Sequence, residues 1–425
     1  MLNDVFRTGW QPVPLNMMTY QQDIERIKDP LIRAGLTSAI EKNLLPAAVE
    51  RAYPGHFNIV ADGSHYGGDS CWPGLDGWEM AGAYWLIGKR ALVANYAAFV
   101  RASQKADGNV PIAICPGEGR PAGSDDYGRG IRWPQDVYTY GGRKWVGLYH
   151  HWQMEVNPLS VLAPISLILT AEDMDDRDHI DSAVAAGRYV LSRKSTNGLI
   201  AGAGFYIENP PRNQWDGVTQ CYAVHAFRVL AKMSGDDAWT KAADELADAF
   251  RLTFWKGDHF AEYVHPSHGV VDSHGLSDTN WAAVAWDVAT DEQKRKLWPR
   301  MTGENALWAG EMPTQLVAKP QAYEEWEKPE PLPFVNVNGP IYDAAAMGRV
   351  WFLEARACVV MKDWERLRES TRLVCAMGEK HGGFWFERYH MQPDGSVKPA
   401  GPKKYCEYAA VLVRVVLGNI EIFIA

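Results

Sequence analysis

Residues 234–255 read SGDDAWTKAADELADAFRLTFW, and this stretch sets the pattern of the whole chain. Trp239, Ala242, Ala243, Leu246 and Phe250 recur at helical spacing, and the Ser-Gly-Asp-Asp ahead of them is a capping turn. On its N-terminal side lies VTQCYAVHAFRVLAKM (218–233), helical but apolar nearly all round. Before that comes a long loop, AGAGFYIENPPRNQWDG (201–217). The unit is therefore long loop, apolar helix, short turn, amphipathic helix.

The same unit recurs in both directions. Upstream, the loop HYGGDSCWPGLDGW precedes EMAGAYWLIGKR (79–90) and ALVANYAAFVRASQKA (91–106). The loop from Asp107 to about Tyr149 precedes a helix predicted over 151–171 and DHIDSAVAAGRYVLSRKS (178–195). Downstream come AEYVHPSHGVVDSHGLS with 278–289 and 291–301, then a long loop ending in PLPFVNVNG with 340–360 and 362–381. YCEYAAVLVRVVLG (405–418) closes the set, and LIRAGLTSAIEKNLLPAAVERAY (31–53), started by Asp29-Pro30 and bent at Pro46, opens it.

Twelve helices in six pairs are thus predicted, with loop markers Trp78, Trp145, Trp215, Trp281 and Asn338 spaced 57 to 70 residues apart. A helical pair repeated at such a period buries its faces only by stacking on neighbours. Helices after the long loops are apolar all round, whereas DEQKRKLWPRM and KDWERLRES carry charge on one face, which suits an inner and an outer ring. The expected fold is all-α, an (α/α)6 toroid spanning 1–425 as a single catalytic domain after an irregular lead of about 1–28. Its long loops gather at one mouth, where function is expected.

Composition narrows the chemistry. A net charge of −9 gives no footprint for nucleic acid, and no stretch reaches the apolar length of a membrane span. The opening MLNDVFRTGWQPVPLNM lacks the basic start and apolar run of a signal peptide. Six scattered cysteines without CxxC pairs fit reduced thiols, so a cytoplasmic location is expected. Phosphate-loop, HExxH and GxSxG patterns are absent; His265, His268, Asp272 and His274 lie close together but not at a recognised ligand spacing. No metal and no cofactor are expected.

Eighteen Trp and eighteen Tyr suit a carbohydrate site, because flat rings stack on the apolar face of a pyranose. The loops place carboxylates beside such rings: Asp69, Asp76 and Glu79, then Glu208 and Asp216, then Glu262 and Asp278, and Glu387 in GGFWFERYHMQPDG (382–395). Glycosidic bond cleavage needs one carboxylic acid to protonate the leaving oxygen and a second carboxylate to activate water or attack carbon. Trp72, Trp78, Trp215, Trp281 and Trp385 are candidate sugar platforms, and Tyr149, His150, Glu208, Asn338 and Asp69 candidate hydroxyl binders.

FWFERYHMQPDGSVKP with YCEYAAVLVRVVLGNI resembles the end of the catalytic domain of bacterial α-L-rhamnosidases, and DSCWPGLDGWEMAGAYW with KADGNVPIAICP resembles their first loop. NGPIYDAAAMGRV and NQWDG are similar to motifs of processing α-glucosidases and trehalases. The resemblance is to the six-hairpin glycosidase superfamily. It implies inverting hydrolysis of an α-linked sugar of rhamnoside or glucoside type, with Glu387 as general base. Trehalase-like enzymes would make Asp216 the acid, rhamnosidase-like ones Asp76 or Glu79, and an inverting pair stands about 6.5–9.5 Å apart. An unsaturated glucuronyl hydrolase or sugar epimerase is the alternative, for which Arg129, Arg132, Arg143 and Arg212 would offer positive charge. A non-catalytic carbohydrate-binding protein is the other.

Overall fold

Gly235, in the left-handed region at φ 72°, ends one helix, and the Asp236 side chain accepts the Ala238 N–H to start the next. That two-residue punctuation is the predicted turn. The computed structural model describes residues 20–65, 68–74, 76–117, 135–149, 161–202, 212, 214–303, 307–319, 322–327, 345–392 and 394–424.

Six helices follow the long loops: α2 (Asp76–Leu86), α4 (Leu162–Met174), α6 (Gly217–Ser234), α8 (Asp278–Ala285), α10 (Gly348–Met361) and α12 (Glu407–Leu417). Each packs on the next, and α12 packs back on α2, so they close a ring. Every residue of α8 and of α12 is buried, as all-round apolarity demands. Outside them lie α1 (Pro30–Ser38), α3 (Arg90–Ala102), α5 (Ile180–Ser192), α7 (Asp237–Phe254), α9 (Asp291–Thr302) and α11 (Trp364–Lys380). α1 packs on both α11 and α12, which makes it the outer partner of the last inner helix. The all-α toroid of six helical pairs is the observed architecture.

Local departures have physical causes. α1 runs on through a π turn at Ala39–Leu44 just ahead of Pro46 and the helix stops at Ala47, so the last turn predicted for 31–53 is not helical. The fifth inner helix begins at Gly348 rather than near Pro340, because Ala346–Met347 is taken into a strand. The loops carry small antiparallel sheets that periodicity did not reveal. β1 (Ala113–Pro116), β2 (Gln135–Tyr140) and β3 (Arg143–Leu148) pair in the order β1-β3-β2. β4 (Trp215–Asp216), β5 (Tyr263–His265) and β6 (Gly269–Val271) form a second sheet, and β7 (Trp308–Ala309) pairs with β8 (Met312–Pro313). The last joins β9 (Ala346–Met347), β10 (Phe386–Met391) and β11 (Val397–Lys403) in the order β11-β10-β9.

Candidate active site

The first turns of the inner helices carry the charged residues, and these meet in two groups. Where α2, α10 and α12 start, Arg349 donates through Nη2 and Nε to Glu407 Oε2 at 2.6 and 2.9 Å and through Nη2 to Asp76 Oδ1 at 3.3 Å. The Tyr405 hydroxyl donates to Asp76 Oδ2 at 2.6 Å. Burial pushes the Asp76 carboxyl well above the usual range against the pull of Arg349, with Glu407 and Glu79 adding repulsion. Glu79, one helical turn further on, is pushed up to about 7 by burial and then by Glu407.

Glu387 joins this group from the last sheet. The β10–β11 register shifts between Phe386 and Arg388, where Gly401 and Pro402 of β11 together oppose Glu387, so the bulge lies on β11 directly across from Glu387. Its Oε1 accepts from Arg388 Nη2, whereas Oε2 is buried without a hydrogen-bond partner. Burial raises its carboxyl; Arg388 and Arg349 oppose this and Glu407 adds to it, so Glu387 lies in the field of the Arg349–Glu407 pair. Gly401 on β11, at φ +74°, makes the space, since a Cβ there would sit 2.3 Å from Oε2.

The second group forms where α6 and α8 start. Arg212 Nη1 lies 3.0 Å from Asp216 Oδ1 and 2.8 Å from Asp278 Oδ1, and its Nε lies 2.6 Å from Glu262 Oε1. Asp216 caps α6: its Oδ2 accepts the Thr219 N–H at 2.7 Å and the Thr219 hydroxyl at 2.8 Å. Behind them, His274 bridges Glu262 at 2.5 Å and Glu327 at 3.0 Å, under the stacked ring of Tyr323. Burial works against the imidazolium, but the two carboxylates outweigh it and raise His274 to about 9. Burial lifts Asp278 to about 7 despite Arg212, with Asp216 and Glu262 adding repulsion.

Comparison with solved structures follows the same architecture. A bacterial glucoamylase complexed with acarbose superposes with a TM-score of 0.59 at 11% identity, covering 95% of this chain and 58% of its own. A rhamnosidase from Klebsiella oxytoca with rhamnose bound gives 0.57 at 11%, covering 91% and 64%. A GH63 mannosylglycerate hydrolase from Thermus thermophilus in complex with glucose gives 0.56 at 11%, covering 89% and 98%. The fold is that of the six-hairpin glycosidases. The chain spans less than two thirds of the glucoamylase and rhamnosidase but nearly all of the mannosylglycerate hydrolase. No protein-family model and no curated protein sequence matches it.

Within this six-hairpin fold the sequence candidates separate. Glu387, Asp76 and Glu79 converge, and Asp216 belongs to the other group, as an N-cap with both oxygens engaged. The platform reading fails for three tryptophans, because all three are buried in the core. Trp78 donates to Asp173 at 3.0 Å edge-on to Tyr222 and Phe352, Trp281 lies fully buried beside Trp298, and Trp385 donates to the Val374 carbonyl. Tyr149 is also buried, its hydroxyl turned to the Ser103 carbonyl. Asp69 makes a surface ion pair with Arg51. Trp72 and Trp215 stay partly exposed, while His150, Glu208, Asn338, Arg129 and Arg132 lie outside the described residues.

The histidine cluster is split: His274 is interior, and His265 and His268 lie against Trp326. Among the described residues no group of three or more His, Cys, Asp or Glu could hold a metal ion, and no helix is long and apolar enough to cross a membrane. Arg349, Tyr405, Glu407 and Glu327 went unread as site residues, and Glu262 and His274 were named but not joined to each other. A charge in the first turn of an otherwise apolar helix, as in GRVWFLEARA and CEYAAVLVRVVLG, was the available signal for two of them.

Proposed function

We propose that the protein is a glycoside hydrolase that takes an uncharged, α-linked sugar at the mouth of the toroid and hydrolyses it with inversion. The observation that carries this is the ring order. With the sequence α2, α4, α6, α8, α10, α12 closed on itself, α6 stands opposite α12 and α8 opposite α2. The Glu387 wall and the Asp216–Asp278 wall therefore face each other across the axis, as an acid and a base flanking a glycosidic bond must. Glu387, with an oxygen free of hydrogen bonds, serves as general base, and the opposite wall supplies the proton.

An uncharged sugar is favoured over an unsaturated uronide because the charges of Arg212, Arg349 and Arg143 are already engaged. Arg212 meets three carboxylates and Arg349 two, while Arg143 is spent on the Ala52 carbonyl and the Trp145 ring. The test is reducing-sugar release from α-linked glucose-, mannose-, rhamnose- and uronate-terminated substrates by the parent and Glu387→Gln. Cleavage of a neutral member that collapses in the variant is expected. Cleavage of the uronate alone, or a fully active Glu387→Gln, overturns the assignment.

A further inference from the structure

Arg212 is shared by three carboxylates, and they are not held alike. Asp216 receives Arg212 on one oxygen and two donors from Thr219 on the other, so both its oxygens are engaged. A proton on Oδ2 would have to displace a Thr219 bond and weaken the α6 cap, and one on Oδ1 would share that oxygen with the Arg212 guanidinium. Glu262 is likewise filled, by Arg212 on Oε1 and by His274 on Oε2. Asp278 differs. Its Oδ1 meets Arg212 Nη1 at 2.8 Å as an ion pair off the hydrogen-bond angle, and its Oδ2 has no hydrogen-bond partner. Arg212 Nη2, on the same guanidinium, is also buried and without one. This ion pair thus keeps one donor and one carboxyl oxygen open, and both residues are essentially fully buried.

We propose that Asp278 is the catalytic acid of this site, and that Asp216 holds Arg212 in position rather than reacting. This rests on the glycosidase reading above. Asp278 Oδ2–H gives its proton to the glycosidic oxygen as the bond from that oxygen to the anomeric carbon breaks, its electron pair staying with the oxygen. A water attacks the carbon from the opposite face and loses its proton to Glu387. Asp278 ends as carboxylate and Glu387 as carboxylic acid, so charge and protons balance, and exchange with water resets both. Arg212 Nη2 is placed to hold a hydroxyl of the same sugar. The electrostatics agree: burial keeps Asp278 protonated to about pH 7, where a proton donor must hold its proton.

The test is a leaving-group comparison. Parent, Asp278→Asn and Asp216→Asn are assayed on α-glycosyl fluorides of glucose, mannose and rhamnose, whose leaving group needs no proton, and on the matching α-linked disaccharides, which do. Asp278→Asn should lose on the order of 10²–10⁴-fold on the disaccharide and little on the fluoride, with the loss of the alkaline limb of the pH profile. Asp216→Asn should affect both substrates alike. The split appearing in Asp216→Asn instead, or Asp278→Asn losing both substrates equally while still folded, overturns the proposal. Carbon-13 NMR of aspartate-labelled parent protein reads the proton directly. A carboxyl signal titrating near neutrality and missing in Asp278→Asn supports the assignment, and its absence refutes it. If the parent cleaves no substrate, the glycosidase reading and the acid role fail together, whereas an active parent with an acidic Asp278 refutes the acid role alone.

Discussion

Gly401 offers a way to move the Glu387 carboxylate without touching Glu387. An alanine Cβ at 401 would lie 2.3 Å from Oε2 and 2.7 Å from the Cβ of Glu387, closer than real Cβ atoms approach anything, so the side chain has to retreat by the better part of an ångström. The substitution also forces an L side chain to φ +74°, costing roughly 1–2 kcal/mol. These effects are separable, because Gly395 in the same hairpin has φ +80° and nothing within 4 Å of its missing Cβ. Gly395→Ala therefore carries the backbone strain alone. Urea denaturation should show both variants losing roughly 1–2 kcal/mol, with Gly401→Ala the larger loss. Hydrolysis of whichever neutral substrate the parent takes should fall about 10²-fold in Gly401→Ala and stay near parental in Gly395→Ala, since an ångström of misplacement costs about that much. Equal activity in the two variants would refute the placement of Glu387 at the reacting centre.

Further outcomes follow from the buried charges and rings. Arg349→Met removes the counter-charge that Asp76 and Glu407 share and should cost about 3–5 kcal/mol in denaturant stability; a loss under about 1 kcal/mol contradicts the buried triad. The folded His274 imidazole titrates near 9, above its free value, so its ion pairs stabilise fully at about pH 6 and fade as pH rises through about 9. The stability gap between parent and His274→Gln should shrink over that window, and a gap that grows sinks the doubly paired imidazolium. Trp281→Ala should cost about 3–5 kcal/mol as a core cavity; a normal stability with weakened sugar binding would restore it as a platform.

The helical frame could be read from the chain because its period survives burial: Trp239 to Phe250 repeat every three or four residues, and the apolar inner helices differ from them visibly. The sheets could not. β4, β7, β8 and β9 are two residues long, and β11, VKPAGPK, carries two prolines and a glycine, so no alternation announces them. The Glu387 wall was half visible. Its aromatic neighbours pointed to it, but Arg349 pairs with Glu407 58 residues away and with Asp76 273 residues away, contacts set by ring closure alone. The tryptophans misled for a related reason. Ring residues beside acids look alike in sequence whether they line a mouth or fill an axis, and Trp78 and Asp76 sit two residues apart on one helix yet face different surroundings.

The packing of α1 against α11 and α12 also changes what the ends of this architecture mean. A stacked array of helical pairs has terminal repeats with one free side, and it shortens gracefully when one is removed. A ring has no terminal repeat. Removing α1 bares α12 and α11 together, and removing α12 bares α10, α2 and the Arg349 triad, so either loss opens the circle rather than trimming it. The closing contacts therefore matter to every pair of the circle, not only to the first and last.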